Sequence, residues 1–241
     1  MRLIVWNCQG GFKSKKKFTY LQNENPDIVI VPECLKRDAL EMQAFGFEVQ
    51  WVGDPGIKGL AVFAAKGWHL EPMAISTAKW ILPVKVTGPE NFTLLAVWSC
   101  PDKGSKISYV SMLHNELRSR EKEWFAEGQV IVAGDFNSNP KLDREGATPN
   151  HNSIVSLLGE HGLSSAYHLR HEPKHGEEKQ HTFYMGRKED KPHHIDYFFL
   201  PSGWAGRIAR IEALPYKTWG NRSDHCPLVL DLDDRARVSD S

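Results

Sequence analysis

Residues 130–137 read Val130-Ile131-Val132-Ala133-Gly134-Asp135-Phe136-Asn137: four apolar residues, three of them β-branched, then a glycine, a carboxylate and, two positions on, an amide. A run of that length and composition is a strand. It is apolar at every position, so both of its faces must be covered, which places it inside a layered fold. The polar residues that follow sit where a rigid strand can present them at a rim.

The same pattern recurs outward in both directions. Leu3–Trp6, Ile28–Val31, Gly59–Ala65, Ile81–Val86, Phe92–Trp98, Ile195–Leu200, Arg207–Leu214 and Pro227–Leu232 are strand-sized runs between turn signals. Helical periodicity is rarer. Across Ser105–Phe125, Val110, Leu113, Leu117 and Trp124 form one apolar stripe and Gly128 follows as a stop. Asn150 suits the N-cap of a helix through Ile154, Leu157 and Leu158 to Gly159, and a third helix is expected over Arg37–Phe45. Residues 168–194 show neither period, hold six of the eleven histidines, and read as a long surface loop. Many strands with few helices between them predict an α/β (α+β) protein of two packed sheets with helices outside.

The 241 residues predict a single domain, 1–241, with a short tail from about residue 233. Hydrophobic residues make up 41% and charged residues 25%, and no repeat or low-complexity tract suggests a linker. Leu3–Trp6 is too short for a secretory h-region, and no apolar stretch approaches the ~20 residues of a membrane helix. A cytoplasmic, monomeric protein with no membrane contact is expected. Cys8, Cys34, Cys100 and Cys226 lie far apart without a C-x-x-C pair, as reduced thiols do. Net charge is zero, unlike the basic balance of most nucleic-acid binders, so any phosphate-binding charge must be local. The dense cluster is Lys13, Lys15, Lys16 and Lys17, with a looser group at Arg187, Lys188 and Lys191.

Five segments place polar residues directly beside buried strands: Trp6-Asn7-Cys8-Gln9-Gly10, Pro32-Glu33-Cys34, Gly134-Asp135-Phe136-Asn137, His194-Ile195-Asp196-Tyr197 and Ser223-Asp224-His225. Each alone has an ordinary explanation as a turn or a helix cap. Together they supply carboxylates, amides and one imidazole at strand ends, the donor set of a hard-cation phosphate site. Neighbouring strand residues point to opposite faces, so if Asn7 and Glu33 face a pocket, Cys8 and Cys34 face away. Asp224 and His225 can serve one site only from a turn before Pro227. An Asp196 buried in an apolar strand needs a partner, and His225 is the expected one. His168-x-x-His171-x-x-x-His175 offers zinc-ligand types, but with no ordered scaffold or cysteine partner zinc is not expected there.

In the order and spacing of these motifs, from Asn7 to His225, the chain resembles the endonuclease/exonuclease/phosphatase superfamily, and within it the exonuclease III and abasic-site endonuclease type. The resemblance implies a four-layer αββα sandwich of two mixed β-sheets flanked by helices. It implies hydrolysis of phosphodiester bonds by water with Mg2+ or Mn2+, in which Glu33, Asn7 and Asp224 hold metal. Asp135 would deprotonate or orient the water and Asn137 fix that water or a phosphate oxygen, while His225 faces the phosphate with its ring held by Asp196. Many members carry a Tyr or His where this chain offers Trp98 or Ser99, and an indole has only an N–H donor. Thr182 and Phe183 fall where related nucleases line a pocket for an extruded sugar, which favours DNA. His193 and His194, and Lys15 and Lys16, could also reach substrate. The expected activity is that of a DNA nuclease, a 3′ to 5′ exonuclease or abasic-site endonuclease. The alternative keeps the chemistry on a small phosphoester or phospholipid head group.

Overall fold

The computed structural model describes residues 1–12, 17–54, 56, 58–73, 80–101, 104–126 and 128–233. Its strands are β1 (Arg2–Val5), β2 (Ile28–Leu35), β3 (Glu48–Gly53), β4 (Lys58–Ala64), β5 (His69–Pro72), β6 (Ile81–Thr87), β7 (Phe92–Trp98), β8 (Val130–Asp135), β9 (Leu163–Ser165), β10 (Phe183–Tyr184), β11 (Pro192–His193), β12 (Asp196–Pro201), β13 (Ile208–Ala213) and β14 (Leu228–Leu232). One six-stranded sheet has the order β13-β14-β1-β2-β4-β3 and the other β5-β6-β7-β8-β12-β9; β10 and β11 form a separate ribbon. Both sheets are mixed, with β1–β2 and β7–β8 parallel.

Period-two alternation sorts the apolar residues into layers. Leu3, Val5, Ile28, Ile30, Ile131, Ala133, Phe198 and Leu200 meet in one core between the sheets. Ile4, Val29 and Val31 point outward and pack with Phe18, Leu21 and Met42. On the far side, Val132, Tyr197 and Phe199 pack with Leu113, Leu117, Ile154 and Leu157. Helix, sheet, sheet, helix is the four-layer order expected, and covering both faces is what the continuous apolar runs require. Each large aliphatic so buried contributes roughly 1.5–3 kcal/mol.

The helices differ in detail from the sequence reading. The stripe over Ser105–Phe125 is two helices, Tyr109–Ser119 and Glu121–Trp124, broken at Arg120. It starts later because the Ser108 hydroxyl accepts the Ser111 N–H at 3.0 Å and caps it there. Asn150 caps His151–Glu160 as expected, and Ser153 returns the bond to complete a capping box. The third helix is Lys36–Glu41, continued as a tighter turn over Met42–Phe45. Residues 168–194 are not a surface loop: they include the end of the helix Ala166–His171, the β10–β11 ribbon, and the buried residues Glu178, Thr182 and His194. The tail beyond 233 and the residues Lys13, Lys15 and Lys16 lie outside the described residues.

Candidate active site

The inward face of the sheets continues past their apolar residues into polar ones. Leu3 and Val5 are followed by Asn7, Ile131 and Ala133 by Asp135, and Phe198 and Leu200 are preceded by Asp196, each at the same parity. Glu33 breaks this rule, since Ile28 and Ile30 face inward and an unbroken strand would turn position 33 outward. A register shift between Val31 and Cys34, with Glu33 at φ 59°, is a bulge that re-aims the carboxylate. Cys34 and Cys8 then pack on the outer side, as the alternation argument requires. Gly134 is fixed by geometry: its φ is 146°, and a Cβ there would lie 1.9 Å from the Val97 carbonyl oxygen.

Asp135 is fully buried at the centre of this arrangement. Its Oδ2 accepts from Asn7 Nδ2 at 2.9 Å and from Asn137 Nδ2 at 3.2 Å, and its Oδ1 accepts the Asn137 N–H at 2.9 Å. Asn7 Nδ2 also donates to Glu33 Oε1 at 3.2 Å, so one amide bridges two carboxylates. His225 Nε2 stands 3.8 Å from Asp135 Oδ2, and its Nδ1 is 2.9 Å from Asp196 Oδ2. Asp224 joins through Gln9, whose Nε2 donates to Asp224 Oδ2 at 2.9 Å while its N–H donates to Asn7 Oδ1 at 3.0 Å. The turn carrying Asp224 and His225 is outside any regular strand and is pinned by Trp6 Nε1 on the His225 carbonyl and Ser223 Oγ on the Asn7 carbonyl.

Burial raises the Asp135 carboxyl to about 7, with Asp196 adding to the effect while the charge of His225 and the bond from Asn7 oppose it. Burial pulls His225 the other way, but Asp196 and then Asp135 outweigh it and hold the imidazole at about 10. The pair therefore favours a basic carboxylate facing an imidazolium near neutral pH.

The remaining expected site residues separate. Phe183 stays at the site, its ring 4.8 Å from that of His225. Trp98 is not open to substrate: it packs edge-on against Trp80 in the inter-sheet core and is 7% exposed. Ser99 is buried with its hydroxyl on the Tyr109 carbonyl, and its own carbonyl accepts Asn137 Nδ2 at 3.0 Å, so it supports Asn137 instead of meeting substrate. Thr182 is buried as well, and its Oγ1 accepts the N–H groups of Ile195 and Asp196, both at 3.1 Å. His194 is turned away from the site, with Nδ1 on the Gln180 carbonyl. Lys17 is no surface cation, because its buried ammonium donates to the carbonyls of Cys8 and Gly10.

One residue at the site escaped the sequence reading: Lys58, which pairs with Glu33. The sequence reading names Gln9 and Arg187 only within their segments; the structure links them, Arg187 donating to Gln9 Oε1 and Gln9 joining Asn7 to Asp224. Lys58 arrives through the β2–β4 register, in which it faces Leu35, and no local pattern announces that pairing.

Glu33, Asp135 and Asp224, linked through the amides of Asn7 and Gln9, offer oxygen donors of the type that suits a hard divalent cation, while the donor atoms that lie within 4.8 Å of one another here are those of Asp135, Asp196 and His225. Asn7 Oδ1 keeps a second lone pair beyond the Gln9 N–H.

No protein-family model matches the sequence, and neither does any curated protein. Solved structures match it in fold. An AP endonuclease from Archaeoglobus fulgidus is 18% identical, with 97% of this chain and 100% of that chain covered at a TM-score of 0.72. The 3′-5′ exonuclease NExo from Neisseria meningitidis is 16% identical over 97% and 100%, with a TM-score of 0.69. An AP endonuclease, LMAP, from Leishmania major is 16% identical over 97% and 88%, with a TM-score of 0.70. The two mixed sheets with flanking helices are thus a shared architecture over nearly the whole chain.

Proposed function

We propose that this chain is a member of the endonuclease/exonuclease/phosphatase superfamily that hydrolyses DNA phosphodiester bonds with Mg2+ or Mn2+, as a 3′ to 5′ exonuclease or at abasic sites. The observation that carries this reading is the convergence on Asp135, where Asn7, Asn137 and His225 approach one buried carboxylate from three different segments. The solved structures that share the fold add support, since they are described as AP endonucleases and as an exonuclease, and one as a 3′ phosphatase bound to product DNA hairpin.

Glu33 and Asp224 would hold the ion, with the Asn7 oxygen beside them; when bound, it supplies positive charge to the non-bridging oxygens of the phosphate. Asp135, with a carboxyl near 7, accepts the proton of the attacking water, since a base is most effective when its pKa lies near the working pH. Asn137 fixes that water through the amide held by the Ser99 carbonyl. His225, a cation at neutral pH, donates through Nε2 to the charge that develops on phosphorus-bound oxygen, and Asp196 keeps its ring in place through Nδ1. Lys58 partly offsets the negative charge of Glu33.

The zero net charge favours a second reading, the same chemistry on a small phosphoester. The deciding experiment incubates the protein and Mg2+ with end-labelled duplexes, one intact and one with a single abasic site, against EDTA and Asp135→Asn controls. A ladder from the 3′ end, or one cut at the lesion, is expected. Silence on both duplexes, with turnover of small phosphoesters, selects the second reading.

A further inference from the structure

We propose that His168, His175 and Glu178 form a second metal site, built for a zinc-class ion and separate from the catalytic carboxylates. One donor atom from each lies within 4.8 Å of the others. His168 Nε2 is 3.2 Å from Glu178 Oε1, and the rings of His168 and His175 are 3.5 Å apart. Two imidazoles and a carboxylate are a donor set that zinc accepts, with water in the fourth position. The spacing seen in the sequence pointed to His171 as well, but His171 leaves the cluster and places Nε2 on the Ile211 carbonyl at 2.9 Å.

The outer partners are those a metal shell uses to orient its ligands. His168 Nδ1 lies 2.7 Å from Ser165 Oγ, and His175 Nδ1 lies 2.9 Å from His151 Nε2, whose own Nδ1 is 2.9 Å from Ser138 Oγ. Glu178 accepts the Gly176 N–H at 3.0 Å and Asn139 Nδ2 at 3.2 Å.

Charge makes the independent case. Glu178 is a buried carboxylate, and among the described residues its hydrogen-bond and ion-pair partners include no lysine or arginine, the imidazole of His168 at 3.2 Å being its ion-pair partner. A carboxylate so placed is costly without a cation, and a divalent ion supplies one. In addition, His194 Nε2 is buried with no hydrogen-bond partner, on a ring 6.5 Å from that of His168. The ion would tie the helix Ala166–His171 to residues 172–182, which form neither helix nor strand yet deliver Thr182 to the Asp196 backbone.

The test uses the full chain, stripped with chelator and returned to excess Mg2+, then titrated with Zn2+ in competition with a chromophoric chelator. One equivalent is expected. His175→Gln and Glu178→Gln should each weaken it by at least about 100-fold, more than Ser165→Ala, an outer partner worth about 10–100-fold. Glu33→Gln and Asp135→Asn should leave it unchanged, which separates this ion from any bound at the catalytic carboxylates. If Glu178→Gln does not fold, His175→Gln at its half-buried position carries the readout. No equivalent in the presence of Mg2+, one that survives both ligand substitutions, or one lost with Glu33→Gln would each overturn the proposal.

Discussion

Two buried polar clusters share strand β12, and they use the same residue types in opposite proportion. Around Asp196, two carboxylates enclose one imidazole, that of His225. Around Tyr197, one carboxylate, Glu178, sits among His151, His168, His175 and His194, four imidazoles whose rings lie 5.1–6.4 Å from the tyrosine. The chemistry inverts with the count. His225 is held at about 10, whereas burial, reinforced by neighbouring imidazoles, pushes His151 to about 4, His175 to about 3 and His194 to about 4. A buried histidine is thus a cation or a lone-pair donor according to its neighbours, and each cluster has one use for which its proton count suits it.

The largest effect is expected of Asp135→Asn. It should lower cleavage of labelled duplex by about 10²–10⁴-fold, the worth of a general base, while the bound zinc equivalent stays. Retained cleavage within about tenfold would remove Asp135 from water activation. Next is Asp196→Ala, which strands a buried imidazolium and should cost about 3–5 kcal/mol in urea unfolding. A smaller loss would mean that His225 is not held as a cation.

Acid and alkali should then separate the clusters in chelator-treated protein. Asp135 and His225 are raised, so the native state binds their protons more tightly than the unfolded chain does. Their contribution is complete below the unfolded values and is lost as pH rises, through about 7 for Asp135 and about 10 for His225. His151, His175 and His194 are lowered, so their contribution is present above their ordinary value of 6.5 and lost as pH falls through about 4, 3 and 4 respectively. Urea midpoints against pH should show the acid loss diminished in His175→Gln and the alkaline loss diminished in His225→Gln; a crossed pattern would refute the assignment. The smallest effect is Asn150→Ala, which unties the cap in front of His151 and should cost about 1 kcal/mol without changing cleavage, read by thermal unfolding.

Period-two alternation made Asn7, Asp135 and Asp196 legible, because it holds along a strand whatever the strand packs against. The Asp196–His225 pair was legible for a chemical reason, since a carboxylate in an apolar strand requires a partner. Glu33 came out at the right place by a route the pattern does not contain, a bulge that only the pairing with β4 reveals. Trp98 and Thr182 read as substrate contacts because their segments end at the site, yet the indole is absorbed by the core and the hydroxyl by two backbone donors. Of the histidine cluster, the spacing showed His168 and His175 but counted His171 with them and saw no scaffold; Glu178 and His151, from a strandless stretch and the start of a distant helix, were illegible because no period links them.

The pairing of β1 with β14, Leu3 opposite Leu230, also has a consequence for biosynthesis. Trp6 reaches the His225 carbonyl across 219 residues, and the turn bearing Asp224 and His225 is made among the last parts of the described chain. At translation rates of about 5–20 residues per second, β1 can pair early with β2 but waits roughly 10–45 s for β14. Until then the β1 edge of that sheet stands open, and the turn bearing Asp224 and His225 cannot close against Trp6 and Asn7.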